Sequence, residues 1–157
     1  MNNTNNSNSF SSSQATNNHQ TSNDNRVLSE LEQLISKHQL DIYQISLDIE
    51  ADQGFINRAN DDLSDLEVEI KKFSEKLYKW KTGYFTVDDS SKSPEEKRKI
   101  TSQHITFLSI AITRFSRKKH SIIQRIDKVQ KAIDISKAEI KLLELKINSI
   151  FTAEAEE

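Results

Sequence analysis

Residues 82–93 read TGYFTVDDSSKS and run on into SPEEKRK at 93–99. This stretch decides whether the chain makes one long helix or two. Gly83 and the Asp/Ser cluster carry turn chemistry. Ser93 suits a helix N-cap, Pro94 the first helical position, and Glu96 closes a capping box with Ser93. A helix therefore ends near Thr82, and a second begins at Pro94.

Outward from the turn, both sides carry an unbroken heptad seam. Upstream, the alternating steps of three and four residues run from Leu28, Leu31, Ile35 and His38 to Phe73, Leu77, Trp80 and Tyr84. Downstream they run from Ile105, Leu108 and Ile112 to Leu143, Ile147 and Ile150. A sustained 3.5-residue period is the signature of a coiled coil. The weak members are His38, Asp52 and Ala59 in the first seam and Lys119 and Ser136 in the second. Two helices of matched length joined by a short loop favour an antiparallel pair. The expected fold is all-α: a long antiparallel coiled-coil hairpin with helix 26–82, loop 83–93 and helix 94–152, closed by an acidic, frayed end at 153–157.

Charge agrees with that pairing. Residues 26–82 hold 8 basic and 12 acidic side chains, and 94–157 hold 13 basic and 9 acidic, so the two helices attract. Residues 1–25 differ in kind. They contain nine Asn, six Ser and one large apolar residue, Phe10. Such a segment buries too little to offset its ordering entropy, and it reads as a disordered tail. It lacks the basic, apolar run of a signal peptide.

The weak stretch IEADQGFINRA (49–59) leaves the alignment of the helices open. One alignment sets Asp52 opposite Lys119, two polar seam residues. Another, with a shorter loop, sets Lys119 opposite Ala59. The charge pattern favours the first, in which Asp52 and Lys119 act as register-setting residues against slipped pairings. The alternatives are a poor layer that a long pairing tolerates, and a further chain's helix filling the space beside Ala59.

Composition narrows the chemistry. The chain has no cysteine, which excludes disulfides and thiolate metal sites and fits an intracellular protein. The four histidines, 19, 38, 104 and 120, are not spaced for a shared metal, and no phosphate loop or nucleophile motif occurs. The sequence reads as non-catalytic and without cofactor. Apolar stretches fall far short of the ~18 residues needed to span a bilayer. The segment RFSRKKHSIIQR (114–125) is basic, but its expected partners are Asp48, Asp52, Asp61, Asp62 and Asp65 on the first helix. It also lacks the aromatic interleaving of a single-strand binder, so nucleic acid is not the expected partner.

Two features point to other proteins. Leu40, Tyr43 and Leu47 on the first helix, and Ile135, Ala138, Leu142 and Leu145 on the second, repeat at three- and four-residue steps outside the seams, with Phe151 beyond. Water-exposed stripes of this kind are expected to meet other coiled-coil proteins in a hetero-oligomer, or a second copy in a four-helix bundle. Trp80, Tyr84 and Phe85 at the turn either close the end of the core or grip a partner.

The run LEVEIKKFSEKL (66–77), a loop, and the basic helix RKKHSIIQRIDKVQKA (117–132) resemble the pallidin-like small helical subunits of the complex for biogenesis of lysosome-related organelles. The likeness covers the middle of the chain and consists of coiled-coil pattern. It implies a scaffold subunit in endosome-to-lysosome traffic, cytoplasmic and held on endosomal membranes through its complex. Similar hairpins occur in kinetochore subunits and tubulin-folding cofactors.

Overall fold

A computed structural model describes residues 17–155. They form α1 (Asn17–Lys81) and α2 (Pro94–Ala155), with no strand among them. The two helices pack antiparallel, as the heptads require. The helix is assigned from Asn17, inside the segment read above as a tail, and residues 1–16 lie outside the described part. At the other end α2 continues to Ala155, through part of the segment expected to fray; 156–157 lie outside the described residues.

Seam positions from Leu31 to Trp80 and from Ile105 to Ile150 are all buried or half-buried. Tyr84, which continues the numerical pattern, is 74% exposed. It lies past the end of α1, where the helical period has no meaning.

The turn is built as its residues dictate. Gly83 adopts a left-handed backbone with φ 76°, the conformation in which an L side chain is penalised and glycine is not. The amide of Thr82 donates to the Tyr78 carbonyl (3.0 Å), and that of Phe85 to the Lys79 carbonyl (3.0 Å). Asp89 accepts from the Ser91 amide (3.0 Å) and hydroxyl (2.6 Å). At the start of α2 the Ser93 amide donates to Glu96 Oε2 (2.7 Å), and the Glu96 amide donates to Ser93 Oγ (3.2 Å). This reciprocal pair satisfies two amides that have no helical acceptor.

Packing divides the chain into two units. The first takes α1 up to Gln44 with α2 from Ile140; the second is Ile45–Glu139. In the second unit the buried apolar side chains are Ile56, Ala59, Leu66, Leu108 and Ile133, of which Ile133, at 0% exposure, is fully enclosed. In the first, Leu143 is the buried one among the described residues.

Contacts across the second unit fix its register. The Phe73 and Phe115 rings meet edge-to-face at 5.3 Å. Lys119 Nζ lies 2.8 Å from Glu67 Oε1, Trp80 stacks on His104 at 4.4 Å, and Arg125 sits 5.1 Å from the centre of the Phe55 ring. These contacts place Lys119 at the level of Leu66, Ile126 at Ala59 and Ile133 at Asp52. Both alignments considered from the sequence are therefore displaced: Lys119 faces neither Asp52 nor Ala59, and Asp52 and Lys119 are not a register-setting pair. The reason lies at the turn. Phe85 returns against Trp80, with ring centres 5.8 Å apart, so the loop folds back along the helices and His104, well inside α2, meets the end of α1. Aromatic packing at the turn outweighs a polar pair in the seam, because a part-exposed ion pair contributes only about 0–1 kcal/mol.

The weak stretch has a plain account in this register. Gly54 is helical, and a methyl group there would meet the Arg58 guanidinium at 3.5 Å, an ordinary contact. Nothing at Gly54 requires glycine. Asp52 is half-buried in the layer of Ile133.

Candidate docking surfaces

Heptad position decides what each apolar side chain can reach. Leu40 and Tyr43 occupy outward positions on α1, and Leu142 and Leu145 do so on α2. All four belong to the first unit, and they are 66%, 61%, 53% and 58% exposed in that order. Leu47 and Ile135, grouped with them from the sequence, belong to the second unit and are exposed as well. In an antiparallel pair the two helices share flanks: the side of α1 that Tyr43 leans toward is the side of α2 away from Leu142. The first unit therefore presents two separate apolar rows, where the sequence suggested one patch. His38, a seam member of the same unit, has a buried Nδ1 without a hydrogen-bond partner.

The second unit carries a different kind of surface near the turn. Trp80 and Phe85 are half-buried, in the contacts given above, and Tyr84 is exposed. Lys79 Nζ lies over both the Tyr84 and Phe85 rings, at 5.5 and 5.3 Å, and Lys76 Nζ lies 5.9 Å from the centre of Phe73. Phe73, Lys76, Trp80, Phe85, His104 and Phe107 line a cleft of about 500 Å³. Sequence reasoning missed Phe107, which is 64% exposed. Its signal is its place one turn from His104 outside the seam.

The basic segment is partly engaged within the chain. Lys119 pairs with Glu67, Arg125 covers Phe55, and His120 is bonded to Gln124 at 3.0 Å. Glu67 was not among the acidic partners expected; Asp61 and Asp62 instead line a hollow of about 390 Å³ with Arg58, Ala59 and Arg125. Elsewhere, local bonds hold single charges. The Ser91 hydroxyl and then its amide keep the Asp89 carboxyl below its ordinary range. The Ser93 amide does the same for Glu96. A hydrogen bond from Lys131 to Asp127 raises the lysine.

Among the described residues no group of three or more His, Asp or Glu side chains is placed to hold a metal ion. No described helix is long and apolar enough to cross a membrane. Compared with known proteins, the chain matches no family model, no curated protein and no solved structure.

Proposed function

We propose that this chain is a non-catalytic coiled-coil subunit of a hetero-oligomeric helical complex. The supporting observation is the first unit: Leu143 is its one buried apolar side chain among the described residues, while Leu40, Tyr43, Leu142 and Leu145 stand mostly in water. Two helices alone cannot cover outward apolar rows; further helices laid against them can. Each of these side chains is worth roughly 1.5–3 kcal/mol on full burial, and the rows lie on both helices, so one partner helix on each side is the natural complement. The mechanism is assembly by packing. The pallidin-like pattern of 66–77 and 117–132 supports placing the complex in endosome-to-lysosome traffic, with membrane contact made through partners.

The test is affinity purification from the native cell, comparing the wild-type chain with the triple variant Leu40→Gln, Leu142→Gln and Leu145→Gln. The expected result is a small set of helical proteins that bind the wild type and are lost together in the variant. Retention of the same set overturns docking through these rows. A purified chain whose mass doubles with concentration, without other partners, replaces the hetero-oligomer with a bundle of two copies.

A further inference from the structure

The end of the second unit near the turn is concave, lined by aromatic rings, and basic. The Trp80–His104 stack forms one wall of the cleft, the Phe85 ring edge abuts Trp80, and Phe107, one turn along α2 from His104, lines it with most of its surface in water. Residues 70–115, the segment bounded by the Phe73–Phe115 contact, hold 10 basic and 5 acidic side chains; the remainder of the chain holds 12 and 19. Two of those five carboxylates are already occupied, Asp89 by Ser91 and Lys92 and Glu96 by the Ser93 cap. Lys76 and Lys79 lie over ring faces and have no ion-pair partner among the described residues. Charge complementarity thus calls for an anionic occupant, and the cleft calls for one inserted apolar side chain.

We propose that this cleft docks an acidic peptide segment of a partner protein. One aromatic or large aliphatic side chain enters against Phe107 and the Trp80–His104 stack, and flanking carboxylates meet Lys76 in the cleft and Lys79 at its Phe85 edge. A nucleic-acid strand fits less well, since phosphates need a continuous cationic track, and Lys76 is the one lysine or arginine among the residues that line the cleft. A membrane surface fits less well, because the exposed Tyr78 ring is not among the residues that line the cleft with Phe107. Tyr78 borders a separate hollow with Lys71, Ser74, Glu75 and Lys79. The cleft makes no use of the outward rows of the first unit.

Trp80 is the chain's single tryptophan, so its emission reports on the cleft directly. The full chain is titrated with a synthetic peptide of one Phe flanked by glutamates, beside versions with Phe changed to Ser or the glutamates changed to Lys. Saturable change in Trp80 emission is expected with the first peptide alone. Binding is expected to weaken roughly ten-fold in Phe107→Ser, and by a similar factor in the double variant Lys76→Glu and Lys79→Glu. Both alter exposed side chains, and circular dichroism melting checks that each variant keeps its fold. Equal binding of the Ser peptide, or no emission change up to millimolar peptide, overturns the proposal. A response to oligouridylate or to phosphatidylserine vesicles that exceeds the response to the acidic peptide also overturns it, in favour of a strand or a lipid surface.

Discussion

The turn end of the second unit and the outward faces of the first are built from similar residues used in opposite ways. Near the turn, Trp80, Phe85 and His104 pack on one another, the Ser93–Glu96 cap closes the start of α2, and Gly83 ends α1 with a left-handed residue. Trp80 and Phe85 are half-buried there by the chain itself, while Tyr78, Tyr84 and Phe107 stay exposed. In the first unit the described seam is half-buried apart from the buried Leu143, and large side chains at Leu40, Tyr43, Leu142 and Leu145 are left in water. In the proposed assembly, the difference separates residues that hold this chain folded from residues left for another chain to cover. A single measurement of stability weighs only the former.

The sharpest way to break that distinction is to truncate one residue of each class. Ile133 is fully enclosed, so Ile133→Ala removes buried methyl groups and leaves a cavity, and we expect a loss of about 3 kcal/mol. Leu142→Ala should change the stability of the isolated chain by less than about 0.5 kcal/mol, while weakening capture of partners. Urea unfolding followed by circular dichroism measures both. Comparable losses would mean that Leu142 is already covered in the free chain.

Asp52 tests the register next. In the observed alignment it shares a layer with Ile133 and has no ion pair with Lys119, whose partner is Glu67. Asp52→Leu should therefore stabilise the chain by about 1 kcal/mol, since it adds apolar area to an apolar layer. Had the two polar seam residues faced one another, the same change would orphan Lys119 and destabilise instead. The sign alone decides.

How far the fold was legible in sequence follows from this case. Heptad phase is written residue by residue, so the helices, the turn and the cap at Ser93 and Glu96 could be read directly. The alignment of one helix on the other could not, because any shift by a heptad keeps the seams matched. Leu66, Ala59 and Asp52 are equivalent positions for Lys119 in that respect. The choice among them is made by Phe85 folding back onto Trp80, a contact between loop and helix with no periodic signature. The candidate surfaces divide the same way. The outward rows at Leu40 and Leu142 were visible as spacing, but their separation onto opposite flanks needed the pairing. The cleft depended on Phe107 and His104 meeting residues some 20 to 30 positions earlier in the chain.

The two glycines give a smaller contrast of opposite sign. Gly83 needs its positive φ, so Gly83→Ala should cost about 1 kcal/mol from the left-handed backbone alone, there being open space around it. Gly54 is helical and has room for a methyl group at ordinary contact distance. Gly54→Ala should stabilise by roughly 0.5–1 kcal/mol. Thermal melts of the two variants beside the wild type would settle this, and a gain at position 83 would contradict the cap described for α1.

Acid provides the mildest probe. Asp89 and Glu96 are held below their ordinary values of 3.8 and 4.5 by bonds from Ser91 and Ser93. A carboxyl depressed by folding contributes stability above its unfolded value and loses it as pH falls through the lowered folded value. The loop and the first turn of α2 should therefore loosen below about pH 4. Because both groups are exposed, the effect is small and local, and hydrogen exchange resolved along the chain is the measurement suited to it. Protection lost first at residues 89–97 as pH is lowered would fit the cap and the loop bonds as described. Protection lost first in α1 below Gln44 would show that the weaker unit, and not the titrating turn, governs acid sensitivity.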